Sequence, residues 1–330
     1  VENKSRWRWG VNRWIVLALI ILNFIAARWY APVLPHIALP VEPVFNIGNF
    51  AFSNTMIAML IADVIILLIA YSVNRAANSG SLVPSGFSGA IEAILEAIYN
   101  LTESTAGKWT RTIFPFFATI TLYVLIVNWM ELLPGVDSFG WIHETHGEGG
   151  HAIAMTPLGV PTITPEEGNY ALVPWIRVLS TDLNFTVALA LISVISTQII
   201  GLRALGVSYL SKFFNVGGLF TRPVFGVIDF GVGLLELVSE ISKILSFSFR
   251  LFGNIFAGSV LLFVIGTLLP VFAQSAFLIM EFFVGLIQAL VFGMLTMVFM
   301  AQAAMGHGGH HDEEASEAHE ELPVDHPQVA

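Results

Sequence analysis

The stretch "FGVIDFGVGLLELVSEISKILSFSFRLFGNIFAGSVLLFVIGTL", residues 225–268, is a long apolar run without proline, bounded by Pro223 and Pro270. As one helix it would be ~66 Å long at 1.5 Å per residue, about twice the hydrocarbon thickness of a bilayer. It cannot stand upright as a single span. Either it breaks at its glycines or it runs strongly tilted, and the tilt is favoured because its polar residues form one stripe. Glu236, Glu240, Lys243 and Arg250 are spaced 0, +4, +7 and +14, with Ser239, Ser246 and Asn254 close to the same line. At 3.6 residues per turn these positions share a face. Arg250 is the costly member, because no acidic residue lies within nine positions of it in the sequence. A charge at mid-bilayer costs at least ~2.5–3.5 kcal/mol, and arginine cannot shed its proton to escape that cost.

Outside this stretch the chain has the same character. It is 55% hydrophobic and 12% charged, with a mean hydropathy of +0.76. That charged fraction is about half of what soluble domains carry. The fold class is an all-α integral membrane protein. Cysteine is absent, which excludes disulfides, thiolate chemistry and cysteine-ligated metals. The formal charge of −10 is mostly a tail effect, since residues 306–330 hold seven of the acids and no Lys or Arg.

About six membrane segments are expected. The first, "WIVLALIILNFIAARWYAP", follows a basic stretch and reads as a retained anchor, although a signal peptide begins in the same way. Spans follow at 49–74, 113–134 and 181–202, and then a helix hairpin, 224–268 and 271–304, turning near Pro270. Residues 88–108, "SGAIEAILEAIYNLTESTAGK", are amphipathic at helical spacing and too polar to cross, so they read as an interfacial helix. Three regions follow: an anchor with its outer loop (1–48), a channel-forming membrane domain (49–305) and an acidic, His-containing disordered cytoplasmic tail (306–330).

Positive charge sets the orientation. Lys4, Arg6, Arg8 and Arg13 precede the first span, and Arg75, Lys108 and Arg111 lie between the second and third. Arg203, Lys212 and Arg222 lie between the fourth and fifth, whereas 31–48, 135–176 and 269–277 have no Lys or Arg. Only Arg28 and Arg177, at span edges, fall on the sparse side. By the positive-inside rule both termini are cytoplasmic.

Within the stripe, Glu236 and Glu240 are each within helical reach of Lys243, which reads as an ion-pair ladder. That reading does not extend to Arg250, seven residues further on. In the second arm of the hairpin Glu281 sits among apolar residues, with Gln288 two turns on. Measured from Pro270, Arg250 and Gln288 fall at similar depth, and Glu281 falls opposite Ser259. An intramembrane carboxyl faces water or a partner by default. Glu281, Ser259, Asn254 and Gln288 thus form a second polar route toward the arginine, and Glu131 extends it. Two half-depth polar routes meeting at a fixed cation do not make an open pore. A proton needs a carrier between them.

The motif "SKILSFSFRLFGNIFAG" (242–258) resembles the signature of subunit a of the F-type ATP synthase. "SLVPSGF" (81–87), "NWMELLPG" (128–135), "TDLNFTVALAL" (181–191) and "LIQALVFGML" (286–295) match in the expected order, so the resemblance covers about 50–304. It implies a non-catalytic stator subunit, without cofactor or metal, lying against a rotating c-ring of hairpin proteolipid subunits. Each ring subunit carries one buried carboxyl. The partners implied are that ring, the peripheral-stalk b subunits, the soluble ATP-synthesising sector and the lipid bilayer, with no nucleic acid. Residue by residue, the family's functional positions fall on Arg250, Asn254, Gln288, Glu281, Glu131, Glu236 and Ser246. Arg250 engages the ring carboxyl, so its anion belongs to another chain. The outer half-channel holds Glu281, Gln288, Asn254 and Glu131, with Ser259. The inner one holds Glu236 and Ser246, with Ser239 and Glu240 as neighbours. Ser259 departs from the family, standing where several members have a carboxyl, and Glu281 stands where some of those have histidine. The membrane implied is a bacterial plasma membrane, with a plastid thylakoid as the alternative.

Two other classes fit less well. A proton-coupled secondary transporter favours internal repeats around a midplane site, and the chain shows none. A haem-bearing redox pump needs histidines within its spans, and none occurs between 152 and 306. "HETHGEGGH" (143–151) lacks the H-E-x-x-H spacing and reads as a solvated loop rather than a metal site. Asp63, inside the second span, has no assignment.

Overall fold

A computed structural model of the chain describes residues 9–29, 41–78, 86–144, 150–155, 161–213, 223–268 and 272–305. The expected acidic tail, the basic residues 4–8, Arg222 and most of "SLVPSGF" lie outside them. The elements are α1 (Trp9–Trp29), β1 (Pro43–Ile47), β2 (Phe50–Ser53), α2 (Asn54–Ala77), α3 (Phe87–Ala106) and α4 (Thr110–Trp129). Five strands follow: β3 (Pro134–Asp137), β4 (Gly140–Glu144), β5 (His151–Met155), β6 (Pro161–Glu167) and β7 (Tyr170–Pro174). Then come α5 (Leu183–Leu205), a 3-10 turn (Gly206–Lys212), α6 (Pro223–Leu268) and α7 (Phe272–Met305).

Five helical stretches among the described residues are long and apolar enough to cross a membrane: Asn54–Ala76, Phe87–Leu132, Leu183–Leu210, Phe230–Leu268 and Ala273–Met305. The chain is a multi-pass helical membrane protein. The 225–268 run is indeed one helix, α6, of 46 residues, and its glycines do not break it. It opens on Pro223, tolerated in a first turn because that N–H has no intrahelical partner. By contrast, the Phe87–Leu132 run is divided between α3 and α4. Gly107 there adopts φ 51°, a left-handed conformation that closes α3 at little cost only for glycine. The amphipathic reading of α3 matches its burial, with Ile98, Thr102 and Ala106 recurring every four residues on the covered face.

The outer connection that read as loop contains strands. β4, β7, β5 and β6 form a four-stranded antiparallel sheet in that order, and β1 pairs with β2. His143, Glu144 and His151 of "HETHGEGGH" lie in these strands, and residues 145–149 lie outside the described set.

The chain divides into two compact units, each with its own packing. The first comprises residues 1–74, 122–186 and 249–290. Its core joins Ala58 and Ala62 of α2 to Val127, Met130 and Leu179. Side-chain caps start its helices: Ser53 Oγ accepts from the Met56 N–H, and Asp182 Oδ1 from the Asn184 N–H. The second unit comprises 75–121, 187–248 and 291–330. It buries Ile113 and Phe117 of α4 against Ile200 of α5 and Met297 and Met300 of α7. Ser193 and Thr296 share a buried hydrogen bond of 2.7 Å there.

Gly293 allows α7 to approach α4 in this second unit. A Cβ at that position would run into the Thr121 hydroxyl and reach 2.9 Å from the Phe117 ring. Gly293→Val is expected to destabilise the chain by ~1–3 kcal/mol through overpacking. The check is thermal unfolding of the detergent-solubilised chain. Gly231→Ala, where an added Cβ meets nothing within 4 Å, is the neutral comparison.

Candidate functional site

In the first unit the polar residues of α6 and α7 come together with the end of α4. Asn128 anchors the arrangement. Its side-chain nitrogen donates to the Gly285 carbonyl of α7 at 3.2 Å, and its oxygen accepts from Ser180 at 2.7 Å. Gly285 permits this approach, since even a Cβ there would lie 3.2 Å from Asn128. Trp129 completes the clamp, stacking on Phe282 at 4.7 Å and donating to its carbonyl at 3.2 Å. With α4 fixed in this way, the next turn delivers Glu131 to α6, where the Ser259 hydroxyl hydrogen-bonds to it.

Glu281 is 4% exposed and lies against Gly258, the neighbour of Ser259. A Cβ at residue 258 would occupy the space of the Glu281 carboxylate. One turn earlier on α6, Asn254 donates to Gln288 Oε1 at 2.8 Å. Arg250, half-buried, lies a further turn back. Hairpin arithmetic set Gln288 level with Arg250, and the observed hydrogen bond joins it to Asn254 instead. Two buried polar atoms of this group, Glu281 Oε2 and Gln288 Nε2, have no hydrogen-bond partner among the described residues.

In the second unit the stripe on α6 is ion-paired. Glu240, buried, receives Lys243 at 2.8 Å, and Lys243 also sits 4.6 Å from the Phe299 ring centroid. Glu236 departs from the expected ladder. Lys212, from the 3-10 turn after α5, binds it at 2.8 Å and lies 3.9 Å from Glu240. Tyr209 holds that turn down by donating to Gln198 of α5 at 2.7 Å, with its ring against Gly201. Glu240 Oε2 is buried without a hydrogen-bond partner among the described residues. Ser239 and Ser246 are exposed.

Sequence reasoning missed three participants. Asn128 lay within a quoted motif but carried no role, and Ser180 and Lys212 were not singled out for chemistry. "NWMELLPG" contained the available signal for the first, since an asparagine one turn from the end of an apolar span needs a partner. Asp63, left unassigned, interacts electrostatically with Tyr123 of α4.

Asp137, in β3 outside the spans, is pushed up to about 6 by burial, with Arg177 opposing the shift. Its folded value lies above the ordinary carboxylate range, so the fold favours its protonated form. Stability from this group is present at acid pH and is lost as pH rises through about 6. The unfolding temperature of the detergent-solubilised chain is therefore expected to fall between pH 5 and pH 7.5. Asp137→Asn is expected to flatten that dependence.

A sequence model of one protein family, ATP synthase A chain, matches residues 56–301, well over half of the chain. The "ATP synthase subunit a" of Syntrophobacter fumaroxidans is 26% identical over 181 residues, covering 55% of this chain and 56% of that protein. The protein of the same description from Geobacter sulfurreducens is 27% identical over 172 residues, 52% of this chain and 54% of its own length. The chain thus spans about half the length of these two relatives. That of Helicobacter pylori (strain Shi470) is 30% identical over 216 residues, 64% of this chain and 74% of the relative.

Proposed function

The chain belongs to the ATP synthase A chain family, and from that premise we propose that it is the proton-conducting stator subunit of a rotary ATP synthase. It is not itself a catalyst of ATP chemistry. It couples proton flow to rotation of a ring of hairpin subunits, in a bacterial plasma membrane, with the peripheral stalk and the soluble sector as further partners.

The observation that carries this reading is the cluster in the first unit: Glu131 on Ser259, Glu281 on Gly258, and Asn254 on Gln288. Buried polar atoms without a protein partner are where water fits. Glu281 Oε2 and Gln288 Nε2 supply such positions, so the cluster is suited to a hydrated outer half-path. Glu281 and Glu131 exchange the proton, and Asn254 and Gln288 lead it toward the ring.

The inner half-path uses Glu236, Glu240, Ser239 and Ser246, which precede Arg250 on α6. Lys212 and Lys243 hold the two carboxylates in place. Along α6, Arg250 stands between the inner residues Glu236–Ser246 and the outer residues Asn254 and Ser259. It draws the ring carboxyl into its ionised form, and protons pass only when the ring turns.

The test is ATP-driven proton pumping, followed by fluorescence quenching in vesicles holding the assembled complex. Complex lacking this chain is expected to hydrolyse ATP without pumping; pumping in its absence would refute the reading. A finer check addresses the inner path. Lys212→Gln is expected to slow pumping several-fold with assembly unchanged, and Lys212→Arg to restore it.

A further inference from the structure

The outer sheet carries a face that the proton-path reading does not use. Phe139, Trp141 and Trp175 are 67%, 53% and 42% exposed. They form one group. The Trp175 backbone N–H donates to the Phe139 carbonyl at 2.9 Å just beyond the paired strands, and the Trp141 and Trp175 indoles meet edge to face at 5.4 Å. Trp141 pairs with Val173 in register, and the Gly140↔Pro174 pair, at the start of β4, lies between Trp141 and Phe139. A side chain at Gly140 would collide with the backbone of Val173 and Pro174, so glycine draws the strands close enough to gather the rings.

Chain connectivity says where this face lies. β4 begins eight positions after the apolar stretch that ends at Leu132, and β7 ends nine positions before the one that begins at Leu183. Both strands beside which the rings gather are therefore tethered by short connections to membrane helices. β5 and β6 are inserted between them, and β6 is the opposite edge of the sheet. Three exposed rings cost free energy in water, whereas indole favours the boundary between headgroups and acyl chains. Charge does not assist, because residues 133–176 contain five acids and no Lys or Arg. Attraction to anionic lipid cannot hold this face down, and burial of the rings can.

We propose that Phe139, Trp141 and Trp175 form an interfacial anchor, seated in the headgroup layer of the outer leaflet. The anchor fixes how deep the outer ends of α4 and α5 sit, and with them Glu131. This inference does not depend on the proton-path reading and would hold for any membrane protein with this sheet.

The chain contains no cysteine, so a single introduced thiol is its only labelling position. Trp141→Cys and Phe139→Cys, each carrying a nitroxide, are compared with Glu166→Cys on the exposed edge strand β6. The chain, residues 1–330, is reconstituted in phosphatidylcholine vesicles. Power saturation of the spin signal then compares collisions with oxygen, enriched in lipid, against those with a water-soluble nickel chelate. Labels at 141 and 139 are expected to favour oxygen several-fold over the label at 166, unchanged between low and high salt. Equal nickel access at all three positions would overturn the anchor. So would exclusion of both reagents at 139 and 141, which would assign the face to a protein partner. Either variant alone suffices if the other fails to fold.

Discussion

Arg250→Ala is expected to abolish ATP-driven proton pumping while the complex still assembles. The physical basis is a balance. A guanidinium and a carboxylate deep in protein attract strongly, yet dehydrating both nearly cancels the gain. Such a pair forms and parts at each step, whereas a dominant attraction would stall the ring. Removing the cation leaves the ring carboxyl with no reason to ionise at the transfer position, so rotation no longer moves protons. Assembly is a separate matter, because the interior of the first unit rests on Ala58, Ala62, Val127, Met130 and Leu179 and on the Asn128 clamp. The check is fluorescence quenching in vesicles, with subunit content measured in parallel. Pumping at near-normal rate would make Arg250 structural and remove it from the proton path.

The second large effect is expected at Glu281. Glu281→Gln keeps the shape and removes the exchangeable proton. A positioned acid–base group contributes roughly 10²–10⁴-fold in rate, so pumping is expected to fall at least a hundredfold. Gly258→Val tests the same point with residue 281 itself unchanged, because its side chain takes the space of the Glu281 carboxylate and displaces it. Both variants are expected to lose pumping, whereas Ser239→Ala, at an exposed inner position, loses far less. If Glu281→Gln pumps normally, the outer path runs through Glu131 alone.

Much of this was legible from spacing. The long helix α6 follows from an apolar run between two prolines, and its polar stripe from a period of 3.6 residues. The hairpin arithmetic brought α6 and α7 into register to within one turn, since Asn254 rather than Arg250 bonds Gln288. Contacts set by tertiary packing were not legible. The partner of Glu236 is Lys212, in a different element, and helical periodicity says nothing about it. Ser180 reaches Asn128 across 52 positions for the same reason. The outer sheet escaped notice because its paired strands are short, such as "GWIHE" and "YALVP", and interrupted by Gly and Pro. Segments of five residues carry too little alternation to separate from loop.

The central claim is that Arg250 separates two half-paths, so that no proton crosses without rotation. One charge falling through ~100 mV releases ~2.3 kcal/mol, and any leak past the arginine would dissipate that energy. The most direct measurement is passive proton flux in vesicles under an imposed gradient, without ATP, with the ring covalently locked to the stator. Wild type is expected to be proton-tight in that state, and Arg250→Ala to conduct. If the locked Arg250→Ala complex is as tight as locked wild type, the arginine does not separate the paths and the account is wrong.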